Sequence, residues 1–272
     1  MQNKYSNDTR NAVERYLSAN AYGTFLWVAL VCQELAKTLG RKTQKKLAVF
    51  PPGLNALYRQ MMDQICNLED TEDTALCKDI LAIVSVVYRP ITLDELTALV
   101  DALDGVSGDY EALAEIVELC GSFLTLRNRT IFFVHQSAKD FWLGEPRNEI
   151  FPSRIEDIHY TIFSRSLWVM QDTMRRDIYS LGAPGFLIDE IKVPDPDPLA
   201  AARYSCKYWV DYLRDCDLNE KAKDDFQDYG SIDVFLRQTY LHWLEALSLL
   251  KGMSEGVASM LSLAGLFEVS CR

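Results

Sequence analysis

Two short apolar segments joined by a polar tip, with a helix start directly after them, constrain the fold of this chain more than any other feature. Both segments lie within residues 123–134, and the tip is Arg127-Asn128-Arg129. Asparagine tolerates the left-handed backbone that a tight turn often needs, so the pattern predicts a β-hairpin. Ser137, followed by Asp140 three residues later, resembles a capping box and predicts the start of a helix. His135 therefore lies at a strand-to-helix junction, where an imidazole can face a phosphate or a neighbouring carbonyl.

Three helical segments precede this hairpin. Their apolar residues recur at the three- and four-residue spacing of amphipathic helices. The segments are 76–87, 96–103 and 113–120. Thr92 and Glu95 form a capping box at the start of the second segment. Helix, helix, helix, hairpin, helix is the order of elements in a winged helix, which we place at residues 71–145.

The chain before the predicted winged helix is helical as well. In residues 1–70, apolar stripes at helical spacing indicate three helices, the first of which stops near Tyr22-Gly23. A basic linker at residues 41–46 is interpreted as a solvated loop between the second and the third. The acidic stretch at residues 69–73 marks the end of this N-terminal helical unit.

The chain after the winged helix, residues 146–272, is predicted to be another helical unit, so the fold class is mainly α. Ser153 caps its first helix together with Glu156, and an apolar pair of helices at residues 232–267 ends it. Glycine and proline interrupt this unit in two segments, 181–185 and 193–198.

Composition and charge exclude several classes of function. With 272 residues, of which 49% are hydrophobic, the chain can bury a core. Its longest apolar run, Phe25 to Cys32, is far shorter than the ~20 residues that cross a bilayer, and residues 1–6 lack the apolar stretch of a signal peptide. Seven cysteines without a C-x-x-C pair favour reduced thiols in the cytoplasm. A formal charge of −11 argues against nucleic acid or an anionic membrane as the main partner.

The helix that would enter a DNA groove is acidic in this chain. It spans residues 109–120 and carries four carboxylates and no basic residue. Proteins that read DNA neutralise its phosphates with lysine and arginine, and Arg127 and Arg129 at the hairpin tip are too few to offset the four carboxylates. We therefore expect no nucleic-acid partner and disfavour a transcription factor.

Enzyme signatures are absent from the sequence. It contains no G-x-x-x-x-G-K-[ST] phosphate loop, no G-x-S-x-G and no H-E-x-x-H, so we predict no catalytic residue and no metal site. Cys120 can in principle meet His135 across the hairpin, but a buried thiol at a helix end is the favoured interpretation. Asp195 and Asp197 alternate with prolines and offer two carboxylates to a cation. A rigid extended link that caps a helix at Leu199 is the favoured interpretation of that segment.

Several longer motifs resemble a known family. They lie at residues 23–34, 54–58, 88–96, 134–141, 175–179, 196–200, 203–211 and 240–248. Together they look like the region that follows the NTPase core in fungal NACHT proteins of the vegetative-incompatibility type. These proteins are NOD-like receptor relatives within the STAND class of signal-transduction NTPases. The resemblance covers about the whole chain.

The resemblance implies a helical lid at residues 1–70, a winged helix at 71–145 and a further helical domain at 146–272. A complete relative binds ATP or ADP at its NACHT core and carries sensor repeats, often of the WD or ankyrin type. Those nucleotides, that core and those repeats are therefore the implied cofactors and partners, and we expect no cofactor for this chain alone. The core would lie upstream of Met1 and the repeats after Arg272, so we expect a fragment of such a protein, a truncated gene model or a decayed paralogue.

The resemblance also implies two nucleotide-binding positions. His135 matches a histidine at the end of the winged-helix hairpin that contacts the β-phosphate of ADP in related proteins and helps to hold the inactive state. A junction histidine satisfied by the backbone is the alternative. Gly23 and Phe25 match a lid motif, G-x-P-L, in which Phe25 replaces the proline that packs near adenine. Phe25 then either stacks on the base or fills the core.

The leading hypothesis is a regulatory arm of a NACHT-type signalling NTPase, of the kind used in fungal non-self recognition or programmed cell death. Its winged helix would close on the nucleotide at rest and swing away when ATP replaces ADP. The alternative is a freestanding α-helical protein-interaction module without a nucleotide role. We also expect self-association, because Trp168, Phe186, Trp243 and the tail at residues 261–267 supply apolar surface.

The purified chain is expected to be helical by circular dichroism and to hydrolyse neither ATP nor GTP. The reason is the missing phosphate loop, since a lid and a wing do not supply a nest of backbone donors together with a lysine. Turnover above that of a control protein without a phosphate loop, retained after repurification, would overturn this expectation.

Overall fold

A computed structural model describes residues 7–21, 23–36, 38, 40–144, 154–183, 185–217 and 222–270. These residues are mostly helical, which confirms the predicted fold class. The α-helices are α1 (Asn7–Asn20), α2 (Phe25–Ala36), α3 (Thr43–Leu47), α4 (Leu54–Cys66), α5 (Thr71–Val86), α6 (Leu93–Leu99), α7 (Tyr110–Leu119), α8 (Gln136–Leu143), α9 (Ile155–Thr173), α10 (Arg203–Asp215), α11 (Ser231–Gln238), α12 (Tyr240–Leu249) and α13 (Met253–Ser270). The strands are β1 (Ile91–Thr92), β2 (Leu124–Arg127) and β3 (Thr130–Phe133). Short 3-10 helices lie at Gly40–Lys42, Asp101–Val106, Gly121–Phe123 and Asp224–Phe226.

The chain divides into two compact units that are interleaved in sequence. The first unit consists of residues 1–78, 115–125 and 133–147, and the second unit consists of residues 79–114, 126–132 and 148–272. In the first unit, α4 packs against α8 and against the 3-10 helix that precedes β2. In the second unit, α9 packs along α10.

The predicted hairpin is present, and its turn has the expected backbone. Asn128 and Arg129 form a two-residue turn between β2 and β3, with φ of 49° and 60°. Two consecutive left-handed residues characterise the tight turn that matches the twist of paired strands. Helices α5, α6 and α7 precede the hairpin and α8 follows it, which confirms the winged-helix order. The sheet also contains β1, which the sequence did not indicate and which pairs antiparallel with β3.

The start of α6 confirms the capping box predicted at Thr92 and Glu95. The Thr92 hydroxyl accepts the Glu95 backbone N–H, and the Glu95 carboxylate accepts the Thr92 backbone N–H. The same carboxylate is buried and receives both terminal nitrogens of Arg89, at 2.6 and 2.9 Å. Because a buried charge that loses its partner typically costs about 3–5 kcal/mol, this ion pair holds the segment before α6 in place.

Tyrosines surround this ion pair in the second unit. The Arg89 guanidinium lies 5.0 Å from the ring centre of Tyr204, whose hydroxyl accepts the Tyr88 backbone N–H. The Tyr204 and Tyr212 hydroxyls share a hydrogen bond, and both residues are fully buried. Burial raises the pKa of each of these two phenols well above its ordinary value. The cluster therefore connects the start of α6 to α10 through groups that must stay neutral.

Tryptophans form the rest of this core. Trp209 on α10 stacks with Phe163 of α9 and meets Trp243 of α12 edge to face. The indole nitrogen of Trp243 donates to the Cys206 carbonyl at 2.9 Å. Trp243 is fully buried, so its predicted contribution to an exposed apolar surface was wrong. Trp168, by contrast, is half-exposed, and the guanidinium of Arg165 covers its ring.

Two predictions in the first half of the chain were wrong. The segment at residues 41–46, predicted to be a loop, is helical. Thr43 and Leu47 lie on the buried face of α3, and its lysines lie outside that face. The helix predicted over residues 96–103 ends at Leu99, where Val100 takes an extended backbone. The freed carbonyl of Ala98 accepts the Nε–H of Arg165 at 3.1 Å, which supplies a partner for one of the acceptors left where the helix ends.

The boundaries at residues 69–73 and in the C-terminal region also differ from those predicted. The acidic stretch is not wholly a boundary, since α5 begins at Thr71 within it. The helix expected at Leu199 begins at Arg203, and the apolar pair at residues 232–267 is three helices, α11 to α13. The helix stop predicted near Tyr22-Gly23 agrees with α1, which ends at Asn20. Ser153 lies outside the described residues, and the N-cap residue of α9 is Arg154, whose backbone N–H donates to Asp157 in place of the predicted pairing with Glu156. None of the described helices is both long and apolar enough to cross a bilayer.

One face of α13 is apolar and exposed. Met253, Val257 and Leu261 follow each other at four-residue intervals, and Leu261 is 72% exposed. Residues at this spacing lie on the same side of a helix, so the three side chains form one stripe. We call this the α13 stripe.

The chain is expected to self-associate through the α13 stripe at tens of micromolar, roughly where exposed apolar surface begins to drive association. Leu261→Lys should shift the population towards monomer, because the ammonium group cannot be desolvated in an apolar contact. Size-exclusion chromatography with light scattering measures this shift. Val49→Lys, the same change at an exposed apolar residue of the first unit, is the matched control and should leave association unchanged. A wild-type monomer at that concentration would contradict the expectation.

Alkaline pH is expected to destabilise the second unit through Tyr204 and Tyr212. An unfolded tyrosine ionises near pH 10, and the folded pKa of both is higher, so above pH 10 the unfolded state releases protons first. Below pH 10 these two residues make their full contribution to the free energy of unfolding. Above pH 10, each residue lowers that free energy by up to about 1.4 kcal/mol per pH unit. Denaturant unfolding between pH 9 and 11.5 measures the slope. Tyr212→Phe should flatten it, whereas Tyr229→Phe, at an 85% exposed residue, should leave it unchanged.

Candidate functional site

The ring of Tyr58 on α4 is the centre of an aromatic cluster in the first unit. Its centroid lies 5.7 Å from that of Phe123, just before β2, and 5.3 Å from that of Phe141 on α8. Trp142 of α8 meets Phe123 edge to face at 5.3 Å. The Phe123 carbonyl accepts the Val134 backbone N–H at 2.8 Å, which closes the open end of the hairpin. The cluster thus fixes where the hairpin ends and where α8 begins.

His135 begins α8 as its N-cap residue. Its backbone is extended, and its Nδ1 accepts the Ser137 backbone N–H at 3.1 Å. The capping box predicted for Ser137 and Asp140 was wrong, because the imidazole supplies the acceptor two residues earlier and Ser137 is inside the helix. Asp140 instead accepts the side-chain amide of Gln136 at 2.8 Å. The N-terminus of α8 therefore lies beside an exposed histidine.

The Ser137 hydroxyl joins His135 to the aromatic cluster. Its Oγ lies 2.8 Å from Nδ1 of His135 and 3.0 Å from the hydroxyl of Tyr58. Tyr58 is fully buried, and burial raises the pKa of its phenol above the ordinary value. A neutral hydroxyl from α4 therefore contacts the side chain that holds the imidazole. The other ring nitrogen of His135, Nε2, has no partner among the described residues.

A second contact in the first unit connects α2 to the turn before β2. The buried hydroxyl of Ser122 donates to Glu34 of α2 at 2.7 Å, and Glu34 also pairs with Lys46 at 3.4 Å. Because Ser122 immediately precedes Phe123, this contact and the aromatic cluster hold the same turn. The first unit thus positions the His135 region from two of its helices, α2 and α4.

The two positions that match the family's lid motif, Gly23 and Phe25, lie just before α2 and at its first residue. Gly23 has φ of 75°, a left-handed conformation that glycine adopts without strain. Phe25 is the first residue of α2 and is 84% exposed. The interpretation that Phe25 fills the core was therefore wrong, and stacking on a planar ligand is the role that its exposed ring leaves open.

The remaining candidate site residues, Cys120 and Asp197, are engaged in structural contacts. Cys120 is fully buried beside the Cys77 carbonyl, and the hydrogen bond with the Cys77 thiol, together with burial, raises the pKa of its own thiol, so it is no partner for His135. Asp197 accepts the Tyr179 hydroxyl and the Leu199 backbone N–H and pairs with Arg203. Its carboxylate is therefore already used in shaping the turn that delays the start of α10. Among the described residues, no three metal-binding side chains gather to hold a metal ion.

Sequence reasoning missed the role of Tyr58. It counted the residue as one member of the apolar stripe on α4. The available signal was its hydroxyl, since a tyrosine in a buried stripe needs a hydrogen-bond partner. That partner, Ser137, is 79 residues away, and helical periodicity carries no information about such a contact.

Comparisons with known proteins bear on the chain as a whole. The sequence profile of the GPI inositol-deacylase winged helix domain matches residues 64–152. The chain is 52% identical to vegetative incompatibility protein HET-E-1 of Podospora anserina over 276 aligned residues, which cover 96% of the chain and 20% of that relative. The chain thus spans about a fifth of the length of the curated relative that it matches. No solved structure matches it significantly. The first two matches confirm the winged helix and the resemblance to fungal NACHT proteins of the vegetative-incompatibility type.

Proposed function

We propose that this chain, a relative of a fungal vegetative incompatibility protein with a winged helix, is the regulatory arm of a NACHT-type signal-transduction NTPase. In this proposal a NACHT core binds ADP at rest and the winged helix closes over it. Exchange of ADP for ATP releases the winged helix, which permits oligomerisation and signalling. Sensor repeats of the WD or ankyrin type control the exchange.

The position of His135 carries this proposal. The imidazole is exposed at the N-terminus of α8, with Nδ1 engaged and Nε2 free of partners among the described residues. The backbone N–H groups of Ser137 and Ala138 are already hydrogen-bonded to His135, so the start of α8 offers an anion the positive end of the helix dipole. A ring nitrogen that carries a proton adds a directed donor to the same place. This arrangement supports the role of a β-phosphate sensor that the family motif assigns to His135.

The energy of such a contact is sufficient to act as a switch. A hydrogen bond to a charged group contributes about 1.5–3 kcal/mol. If it forms only in the closed state, its whole energy biases the equilibrium between closed and open states. Since 1.4 kcal/mol is a factor of ten, losing the contact shifts that equilibrium by about tenfold or more.

Gly23 and Phe25 are assigned to the adenine side of the same nucleotide. The left-handed backbone of Gly23 turns the chain directly before α2, and this turn leaves the ring of Phe25 exposed at the helix start. An exposed aromatic ring can stack on a base at a gain of about 1–3 kcal/mol. Both positions belong to the first unit, as does His135.

One observation favours the alternative, a freestanding protein-interaction module. The α13 stripe is exposed and apolar, as expected of a surface that contacts a protein. The two functions differ in their dependence on nucleotide. An interaction module folds and associates equally with and without ADP, whereas a regulatory arm changes the retention of ADP by the core to which it is joined.

His135→Ala is expected to weaken ADP retention by about tenfold, since one charge-assisted hydrogen bond of the closed state is lost. The test is a chimera in which this chain replaces the matching residues of the Podospora protein, a substitution that 52% identity makes feasible. The dissociation rate of labelled ADP and the fraction of oligomer without stimulus are the measured quantities. Both should rise in the variant.

Phe133→Leu is the matched control for this variant. It lies in the strand that leads to His135, so it should lower the melting temperature without a selective effect on ADP or on oligomer. Equal ADP dissociation and equal oligomer in the parent chimera and in His135→Ala, at an unchanged melting temperature, would leave His135 as a structural residue and remove the support for the proposal.

A further inference from the structure

We infer that Tyr58 and Ser137 are positioning residues for His135, and that they make its donor state depend on the packing of α4 against α8. The inference concerns how the site is regulated and rests on the proposed function for its biological meaning. Its structural content, the tautomer and orientation of one imidazole, can be tested without any nucleotide.

The direction of each hydrogen bond follows from the backbone. A backbone N–H can only donate, so Nδ1 of His135 accepts from Ser137 and carries no proton. The Ser137 hydroxyl lies 2.8 Å from the same Nδ1 and must therefore point its own hydrogen there. Its oxygen is then left to accept, so the Tyr58 hydroxyl is the donor at 3.0 Å. The relay runs from Tyr58 through Ser137 to His135.

This relay selects one neutral form of the imidazole. With Nδ1 occupied as an acceptor, the proton of the neutral ring resides on Nε2. The excluded form, with the proton on Nδ1, would present a bare lone pair at Nε2 and repel a phosphate oxygen. Two donors on Nδ1 also prevent the ring from turning over, so that Nε2 stays directed away from α8. The relay thus presents a donor at Nε2, the ring nitrogen of His135 that has no partner among the described residues.

The relay also crosses between two predicted domains. Tyr58 belongs to α4, in the region assigned to the lid, whereas Ser137 and His135 belong to the winged helix. Only when α4 packs against α8 does the Tyr58 hydroxyl reach Ser137, and the aromatic rings around it keep water from replacing it. If α4 moves away, the Ser137 hydroxyl loses its donor and becomes free to rotate away from His135. His135 therefore presents its donor fully only when the lid helix is in place.

The test is nitrogen-15 NMR of the histidine rings in the full 272-residue chain. It is carried out in the Leu261→Lys background, which is designed to lower self-association and lies outside the site. Long-range proton–nitrogen correlations report which ring nitrogen carries the proton, and His135→Gln identifies the signal among the three histidines. We expect the parent to show His135 with the proton mainly on Nε2, at a tautomer ratio that the nitrogen shifts measure.

Two variants remove one hydroxyl each. Ser137→Ala should produce a measurable fraction of the Nδ1-protonated form and increased ring mobility. Tyr58→Phe keeps the buried ring and should produce a smaller change of the same kind, about threefold in the tautomer ratio, as expected for one neutral hydrogen bond. Tyr16→Phe is the matched control, because it removes a tyrosine hydroxyl that donates to the Phe50 carbonyl in the same unit. It should leave the His135 signals unchanged.

The outcomes separate the two proposals. An identical pattern of His135 nitrogen signals in the parent, Ser137→Ala and Tyr58→Phe would overturn the relay, even if His135→Ala weakens ADP retention in the chimera. A changed pattern combined with unaltered ADP retention in His135→Ala would keep the relay and refute the nucleotide role. If Tyr58→Phe lowers the melting temperature strongly, Ser137→Ala decides alone, since it leaves the aromatic cluster intact.

Discussion

A tyrosine within a buried apolar stripe must satisfy two demands at once, and Tyr58 shows how the first unit meets them. Burying an aromatic ring contributes roughly 1.5–3 kcal/mol, and leaving its hydroxyl unpaired would cost a comparable amount. The ring packs against Phe123 and Phe141, and the hydroxyl reaches Ser137. One side chain therefore fixes the end of the hairpin, the start of α8 and the orientation of His135. The candidate site depends on this arrangement more than on any residue exposed within it.

In the second unit, a buried charged group likewise needs a fixed set of partners. Glu95 is buried with its carboxylate shared between Arg89 and the Thr92 backbone N–H, and two tyrosine rings of α10 pack beside the guanidinium. Such a pair adds little net stability compared with apolar packing, but it tolerates only one geometry. It therefore specifies how the start of α6 meets α10. In both units a buried polar group with a single set of partners determines a position that apolar packing alone would leave adjustable.

Local patterns predicted the parts of the structure that depend on local chemistry. The hairpin turn followed from Asn128, and the capping box at Thr92 and Glu95 followed from their spacing. The equally spaced Ser137 and Asp140 failed as a capping box, because the His135 ring accepts the Ser137 N–H instead. The segment predicted as a basic linker is helical because Thr43 and Leu47 are buried. The charge pattern of the linker carries no information about that burial. His135 was found through a motif, whereas Tyr58 was missed because its role depends on a partner distant in sequence.

The central claim is that a lid-helix hydroxyl controls the phosphate donor of the winged helix, and a double-mutant cycle in the chimera tests it most directly. The dissociation rate of ADP is compared for the parent, Tyr58→Phe, His135→Ala and the double variant. If Tyr58 acts through His135, Tyr58→Phe speeds dissociation in the parent but has no further effect once His135 is alanine, giving a non-zero coupling energy. Equal effects of Tyr58→Phe in both backgrounds would show that Tyr58 acts only by packing and would contradict the account.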